Sequence, residues 1–207
     1  MKVVIATSNK GKLKEYKEML EPLGFECLSL SDIAFDKEIV EDADTFKGNS
    51  YIKAKAVYDE VKLPTIADDS GLCVDALNGD PGVYSNRYSG EGHTDKKNRE
   101  LLISNLKKLN LESSPAHFSC AITYIDDKRT IQTEGYFYGE VILKERGYNG
   151  FGYDPIFYLK DIDKTVAELP DDEKNKISHR HNALIKLIEA LKWERLYSLT
   201  HMVISRV

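Results

Sequence analysis

The chain opens with an apolar run of strand length at residues 3–7 and then changes period. Leu13, Tyr16, Leu20 and Leu23 recur at helical spacing until Pro22 and Gly24 stop the run, which predicts strand, loop and a helix over 10–21. A second strand is expected over 25–30, and the acidic stretch 32–44 reads as surface loop with a short strand around 38–40. Thr45 is placed to cap a helix reaching about residue 61, with Phe46, Ser50, Ala54, Val57 and Val61 on one face. The next strand is expected to end at Ala67-Asp68-Asp69-Ser70-Gly71, and residues 71–76 extend the sheet.

Pro81-Gly82 begins a polar, aromatic loop, and a helix is expected over 94–109. Phe118, Cys120, Ile122 and Tyr124 then alternate with Ser119, Ala121 and Thr123, Asp126-Asp127-Lys128 reverses the chain, and a second alternating run continues through Phe137. That is an antiparallel hairpin. A glycine-rich stretch at 147–152 precedes a strand near 155–159, and a last helix from about Ser178 turns Leu184, Leu187, Ile188 and Leu191 inward. Parallel-type units beside a hairpin predict an α/β fold with a mixed central β-sheet and helices on both sides.

Composition narrows the class. With 207 residues, 42% of them hydrophobic, the chain fits one large domain or two lobes sharing a cleft, and no repeat, low-complexity tract or linker divides it. Its 29 basic and 34 acidic residues leave a net charge of -5, which repels a nucleic acid polymer while leaving room for a small anion to bind locally. No apolar run is long enough to cross a membrane, and the amino terminus enters a strand pattern without a signal-peptide layout, so a cytoplasmic protein is expected. Cys27, Cys73 and Cys120 are odd in number and far apart, which argues for buried thiols over a disulfide framework or a closed zinc site.

Several short segments could carry chemistry. Thr7-Ser8-Asn9-Lys10-Gly11-Lys12 lies between a strand and a helix, where backbone N–H groups, the positive end of the helix dipole and two lysines suit a phosphate; the segment equally serves as a solvated helix start, and it lacks the spacing of a Walker A loop. Asp68, Asp69 and Ser70 are ordinary turn residues, yet if Glu41 meets them, Glu41 and Asp69 could hold a magnesium ion with phosphate oxygens and water completing the shell. Phe151-Gly152-Tyr153-Asp154 combines aromatic faces, close backbone access and a carboxylate before a rigid proline, suited to stacking on a base or to packing in the core. Lys174 and Ser178-His179-Arg180-His181 lie near the start of the last helix, where Ser178 can cap and the basic side chains can donate to a nucleotide or face solvent; His179 and His181 do not share a helix face as a metal pair.

Taken in order, TSNKGK, the TF..N helix, ADDSGL, PGVYSNRYSG, GFGYDPIF and EKNKISHR resemble the inosine triphosphate pyrophosphatase family, the Ham1/RdgB-like hydrolases of non-standard purine nucleotides, over residues 1–192. The resemblance implies a two-lobed fold with the active-site cleft between the lobes, and hydrolysis of ITP, dITP and XTP to the monophosphate and pyrophosphate. It also implies Mg2+ and a homodimer. Carried onto matching positions, Thr7 to Lys12 would grip phosphates, Glu41 and Asp69 would serve the metal, Asp69 would accept the proton and Ser70 would contact substrate. Phe151, Gly152, Tyr153, Asp154, Lys174, His179 and Arg180 would surround base and phosphate chain, while Asp68 is a metal ligand or an orienter of one. Two features depart from the family pattern: Gly147-Tyr148-Asn149-Gly150 stands where Gly-Thr-Gly-Gly is commoner, and an apolar tail over 193–207 extends beyond the match. The alternatives are a Maf-like pyrophosphatase of pyrimidine or modified nucleotides and a nucleotide sensor without turnover.

Overall fold

In the computed structural model, the backbone of residues 1–204 and the side chains of residues 1–192 are described; the packing expected of the 193–207 tail lies outside the described side chains. Strands β1 (Lys2–Ile5), β2 (Glu26–Leu28), β3 (Thr65–Val74), β4 (Ser113–Ile125), β5 (Thr130–Ile142), β6 (Phe157–Leu159) and β7 (Lys164–Thr165) form one sheet in the order β2-β1-β3-β4-β5-β6-β7. β1 runs parallel to β2 and β3, and each pairing from β3 to β7 is antiparallel. The expected mixed sheet is present. Its helices are α1 (Lys10–Leu20), α2 (Phe46–Val61), α3 (Asp95–Lys108), α4 (Asp171–Ile177) and α5 (His179–Ile204).

Alternation along the strands divides the core. Val3 and Ile5 of β1 and Ile66 of β3 pack with Tyr16 and Leu20 of α1 and with Leu184 and Leu187 of α5. Val4, Ala67 and Ile125 point the opposite way, onto Ala54 and Val57 of α2. A third cluster, with Leu72, Val74, Leu102, Phe118 and Phe157, fills the far end beneath α3. Cys27 and Cys120 are buried free thiols as expected, whereas Cys73 is only partly covered.

Three local expectations require correction. Residues 38–40 form no strand, and Val40 stands exposed, because no neighbouring strand satisfies that backbone. ADDSG does not end its strand: β3 runs straight through it, paired with β4 from Thr65 opposite Ile125 to Val74 opposite Ala116. Ladder pairing over ten residues overrides the turn preference of Asp, Ser and Gly. Residues 171–177, which precede the predicted last helix, form the separate helix α4 and carry Lys174.

The placement of α5 depends on a missing side chain. A Cβ on Gly135 of β5 would lie 2.2 Å from the carbonyl oxygen of His179 and 2.3 Å from the amide nitrogen of Ala183, so only glycine admits the helix at this distance. Gly135→Ala should therefore cost about 3 kcal/mol through overpacking. Urea denaturation measures this; an unchanged midpoint at unchanged slope would contradict so close a contact.

Candidate active site

The cleft begins where strand lengths differ. β1 pairs with β3 only as far as Ile5 opposite Ile66, while β3 and β4 continue. Beyond that point the edge of β3 is free of a strand and takes side chains instead, Lys53 Nζ donating to the Asp68 carbonyl at 3.0 Å and the Leu72 amide donating to Ser85 Oγ at 2.9 Å. The 7–12 loop leaves the carboxyl end of β1 into this opening, the usual place for a ligand in an open α/β sheet. The result is a cleft of about 450 Å³.

Of the residues singled out for phosphate, metal or base, all but Lys10 and Asp68 line this cleft, Asp68 being buried behind it. Lys10 occupies the first position of α1 and is exposed to solvent. The free amides expected at that helix start are partly engaged as well, since Asn9 Oδ1 accepts from the amides of Gly11 (2.8 Å) and Lys12 (3.1 Å). Lys12 and the helix dipole are what the loop offers an anion. A second depression, of about 500 Å³, lies beside His117 and Tyr136 and contains none of the singled-out residues.

The strand position of ADDSG separates its two carboxylates. Asp68 and Ser70 point to the face that Ile66 and Leu72 share, interrupting an apolar row, and Asp69 points to the α2 side. Asp68, 1% exposed, meets Lys12 Nζ at 2.9 Å and Arg180 Nε at 3.3 Å. Burial alone would push its carboxyl up, but the charges of Lys12, Arg180 and Lys53 prevail and hold it well below the usual range. Arg180 also bonds Glu15 and gives Nη2 to Ser70 Oγ at 3.3 Å. Its guanidinium is thus a strut joining α1, β3 and α5.

Asp69 has the opposite bias. Its Oδ2 accepts from Asn49 Nδ2 at 3.1 Å and its Oδ1 from the Ser70 amide at 3.0 Å, yet burial raises its carboxyl, with Glu41 adding to the rise and Lys53 and Lys12 opposing it. Glu41 reaches Lys53 at 2.8 Å. Adjacent carboxylates with opposite shifts have different work to do: Asp68 is locked as an anion, and Asp69 can take up a proton.

Glu41 and Asp69 face one cleft and repel each other electrostatically, which makes them a fitting oxygen donor pair for a small divalent cation. No group of three or more His, Cys, Asp and Glu side chains gathers for a metal among the described residues.

The opposite wall is aromatic. Phe151 is held by its amide on Asp154 Oδ2 (2.8 Å), its ring lies 4.4 Å from Lys174 Nζ, and Lys174 pairs with the same carboxylate at 2.6 Å. His179 stacks on Phe118 with ring centroids 5.1 Å apart, and its buried Nδ1 has no partner. Burial, reinforced by Arg180, Lys12 and Lys174, keeps this imidazole neutral, so one ring nitrogen accepts and the other donates. Glu15, Asn49 and Lys53 belong to the site and were not foreseen. Glu15 and Lys53 sit within amphipathic helices where a charge reads as solvated surface; the signal available was Asn49 and Lys53 at helical spacing on α2, four residues apart.

An α/β sheet opening into a cleft with cationic and carboxylate walls and an aromatic side defines a protein built to take a small, aromatic, anionic ligand. Residues 3–190 match the model of the Ham1 family, and the chain belongs to that family. It is 50% identical to the dITP/XTP pyrophosphatase of Bacillus subtilis over 190 residues, spanning 91% of this chain and 96% of that protein. It is 46% identical to the dITP/XTP pyrophosphatase of Sulfurimonas denitrificans, spanning 89% and 95%. Among solved structures, a HAM1 protein from Coxiella burnetii superposes with a TM-score of 0.86 at 37% identity, covering 93% of this chain and 98% of that one.

Asp68→Asn tests the buried network. Because the folded-state carboxyl is held below its unfolded value of about 3.9, its stabilisation is complete above that pH and is lost as pH falls through the lower folded-state value. At pH 7 the variant should lose about 3 kcal/mol, with the gap to the parent closing below about pH 4. Denaturant midpoints across that range measure it, and equal stability at pH 7 would show that the network contributes nothing.

Proposed function

We propose that the chain hydrolyses non-standard purine nucleoside triphosphates, namely ITP, dITP and XTP, to the monophosphate and pyrophosphate. The observation that carries the reading is the divergence of two adjacent carboxylates: Asp68 is buried against Lys12 and Arg180, while Asp69 lines the cleft beside Asn49 with its proton affinity raised by burial. Family membership and relatives named dITP/XTP pyrophosphatase support the substrate class. The reading includes a single two-lobed domain over residues 1–207, a homodimer and a cytoplasmic location, as the resemblance implies. No helix among the described residues is long and apolar enough to cross a membrane.

Family membership supports a divalent metal, and we take it to be Mg2+ held by Glu41 and Asp69. Bound there, the ion would neutralise phosphate oxygens and lower the proton affinity of neighbouring water. The 7–12 loop and Lys12 bind the phosphate chain at the positive end of α1. Water attacks the α-phosphorus, the bond from phosphorus to the bridging oxygen of pyrophosphate breaks, and the proton of the water passes to Asp69. Asn49 orients Asp69 through its 3.1 Å bond. Lys174 and Asp154 fix Phe151 against the base, and neutral His179 hydrogen-bonds its edge.

Selectivity follows from donors. Hypoxanthine and xanthine present a carbonyl at C6 where adenine presents an amino group, so the N–H groups of Arg180 favour the former, and a wrong pairing costs about 1–3 kcal/mol, or roughly tenfold to a hundredfold. Exclusion of guanine requires a donor facing C2, which the His179 and Arg180 region or a backbone N–H supplies.

The deciding experiment incubates the protein with ITP, XTP, GTP, ATP and TTP, with Mg2+ or with chelator, and separates pyrophosphate from single phosphate. We expect pyrophosphate from ITP and XTP, at least tenfold slower turnover of ATP and GTP, and loss of activity with chelator. Turnover of TTP in preference to ITP would favour the pyrimidine alternative, and no turnover of any substrate would leave a sensor.

Asp69→Asn should fold normally and lose at least a hundredfold in kcat. Because burial raises the Asp69 carboxyl, the acid limb of kcat/KM should lie above that of an exposed aspartate, activity falling as pH drops through it. Near-normal turnover in the variant would remove Asp69 from the proton-accepting role.

A further inference from the structure

The aromatic wall of the cleft is held by α3, whose Asp95 and Asn98 also line the cleft. Asp95, in the first turn of that helix, accepts the amide of Gly152 on Oδ2 at 2.8 Å. Arg99, one turn further along, donates Nη1 to the carbonyl of the same Gly152 at 2.7 Å. Both hydrogen-bonding groups of one residue are thus gripped by side chains spaced i and i+4 on a single helix face. The rest of the Arg99 guanidinium makes a two-pronged contact with Glu145, Nε to Oε1 at 2.9 Å and Nη2 to Oε2 at 3.2 Å. One side chain therefore staples the two ends of the 145–152 loop.

Gly152 suits this grip because its φ of +61° is a conformation that residues with a side chain rarely adopt, and nothing crowds it. Phe151 precedes the clamped residue, and a Cβ on Gly11 would lie 3.7 Å from its ring, so the clamp sets how the aromatic wall meets the phosphate-side loop. The same helix holds the neighbouring wall. Asn98 accepts from the Ser89 amide at 2.8 Å and donates to the Asn86 carbonyl at 2.9 Å, while Tyr153 donates its hydroxyl to the Ser85 carbonyl at 2.8 Å. Arg99 belongs to none of the apolar clusters, and its partner Glu145 is exposed, so removing the contact opens no core.

We propose that Asp95 and Arg99 are positioning residues that hold the Phe151-to-Asp154 wall in register for the purine ring, and so govern affinity for the base without governing affinity for the phosphates. The inference rests on the substrate class given above for this cleft. It adds α3, whose side chains hold Gly152 and the 86–89 segment, as the part of the fold that sets base recognition.

The test compares Asp95→Asn, Arg99→Gln and the conservative Arg99→Lys with the parent, by two measurements. In hydrogen exchange of the protein without ligand, residues 145–154 should exchange about tenfold faster in Asp95→Asn and Arg99→Gln, with global stability unchanged. In kinetics, KM for ITP should rise about tenfold, kcat should fall by less, and the inhibition constant of inorganic triphosphate, which has no base to read, should stay within about twofold of the parent. Arg99→Lys keeps one donor for the Gly152 carbonyl and should fall between. The double variant should be no worse than the poorer single one, since both residues fix the same residue, Gly152. Unchanged loop exchange in both disruptive variants overturns the proposal, as does an inhibition constant for triphosphate that rises in parallel with KM for ITP. If the parent does not turn over ITP, the enzymatic reading fails by itself, and the exchange measurement still decides whether α3 holds the loop.

Discussion

The carboxylate of Asp68 is buried, and three elements meet on it: Lys12 from α1, the strand β3 that carries it, and Arg180 from α5. Enclosing that many charges is costly, because each loses its water, and the arrangement holds only because opposite charges and hydrogen bonds answer each other at close range. Glu15 and Ser70 complete the set around the guanidinium. Removing one member would leave another charge stranded, so the geometry of all three elements is tied to a single buried point.

That point also separates the two apolar clusters on the α1 and α5 face of the sheet. Along β3 the residues on this face read Ile66, Asp68, Ser70, Leu72 and Val74, so the row is apolar at both ends and polar in the middle. The cleft opens over that polar interruption, where β1 has already ended. One strand thus contributes to the core twice and to the site once. Asp69, on the other face, inherits a partly desolvated environment from α2 and stays available, because Lys12 and Arg180 are already committed to Asp68.

The remaining walls are fixed by contacts between distant segments. Lys174 on α4 meets Asp154, and α3 grips Gly152, so the aromatic loop is held between two helices that are separated along the chain by the whole β4–β5 hairpin, β6 and β7. His179 and Arg180 reach the cleft because Gly135 lets the start of α5 lie almost against β5. Residues with little individual signal become a site through this packing.

The periodicity of α1, α2, α3 and the hairpin was readable directly, because each element buries one face and its apolar spacing records that burial. The ordered motifs named the family and pointed to the phosphate-side loop, Asp69 and the aromatic wall, which the fold brings to one cleft. What one chain read in order could not supply were the long-range partners. The ten-residue ladder with β4 turned ADDSG from a strand end into mid-strand, and this alone put Asp68 and Asp69 on opposite faces with opposite proton affinities. Likewise Lys10 fell outside the cleft while Glu15, Asn49 and Lys53 entered it, since helix rotation against the sheet decides which charges face inward. Local pattern determined the elements and the chemical types present; the division of labour among neighbouring groups came from burial and charge, which exist only once the chain is packed.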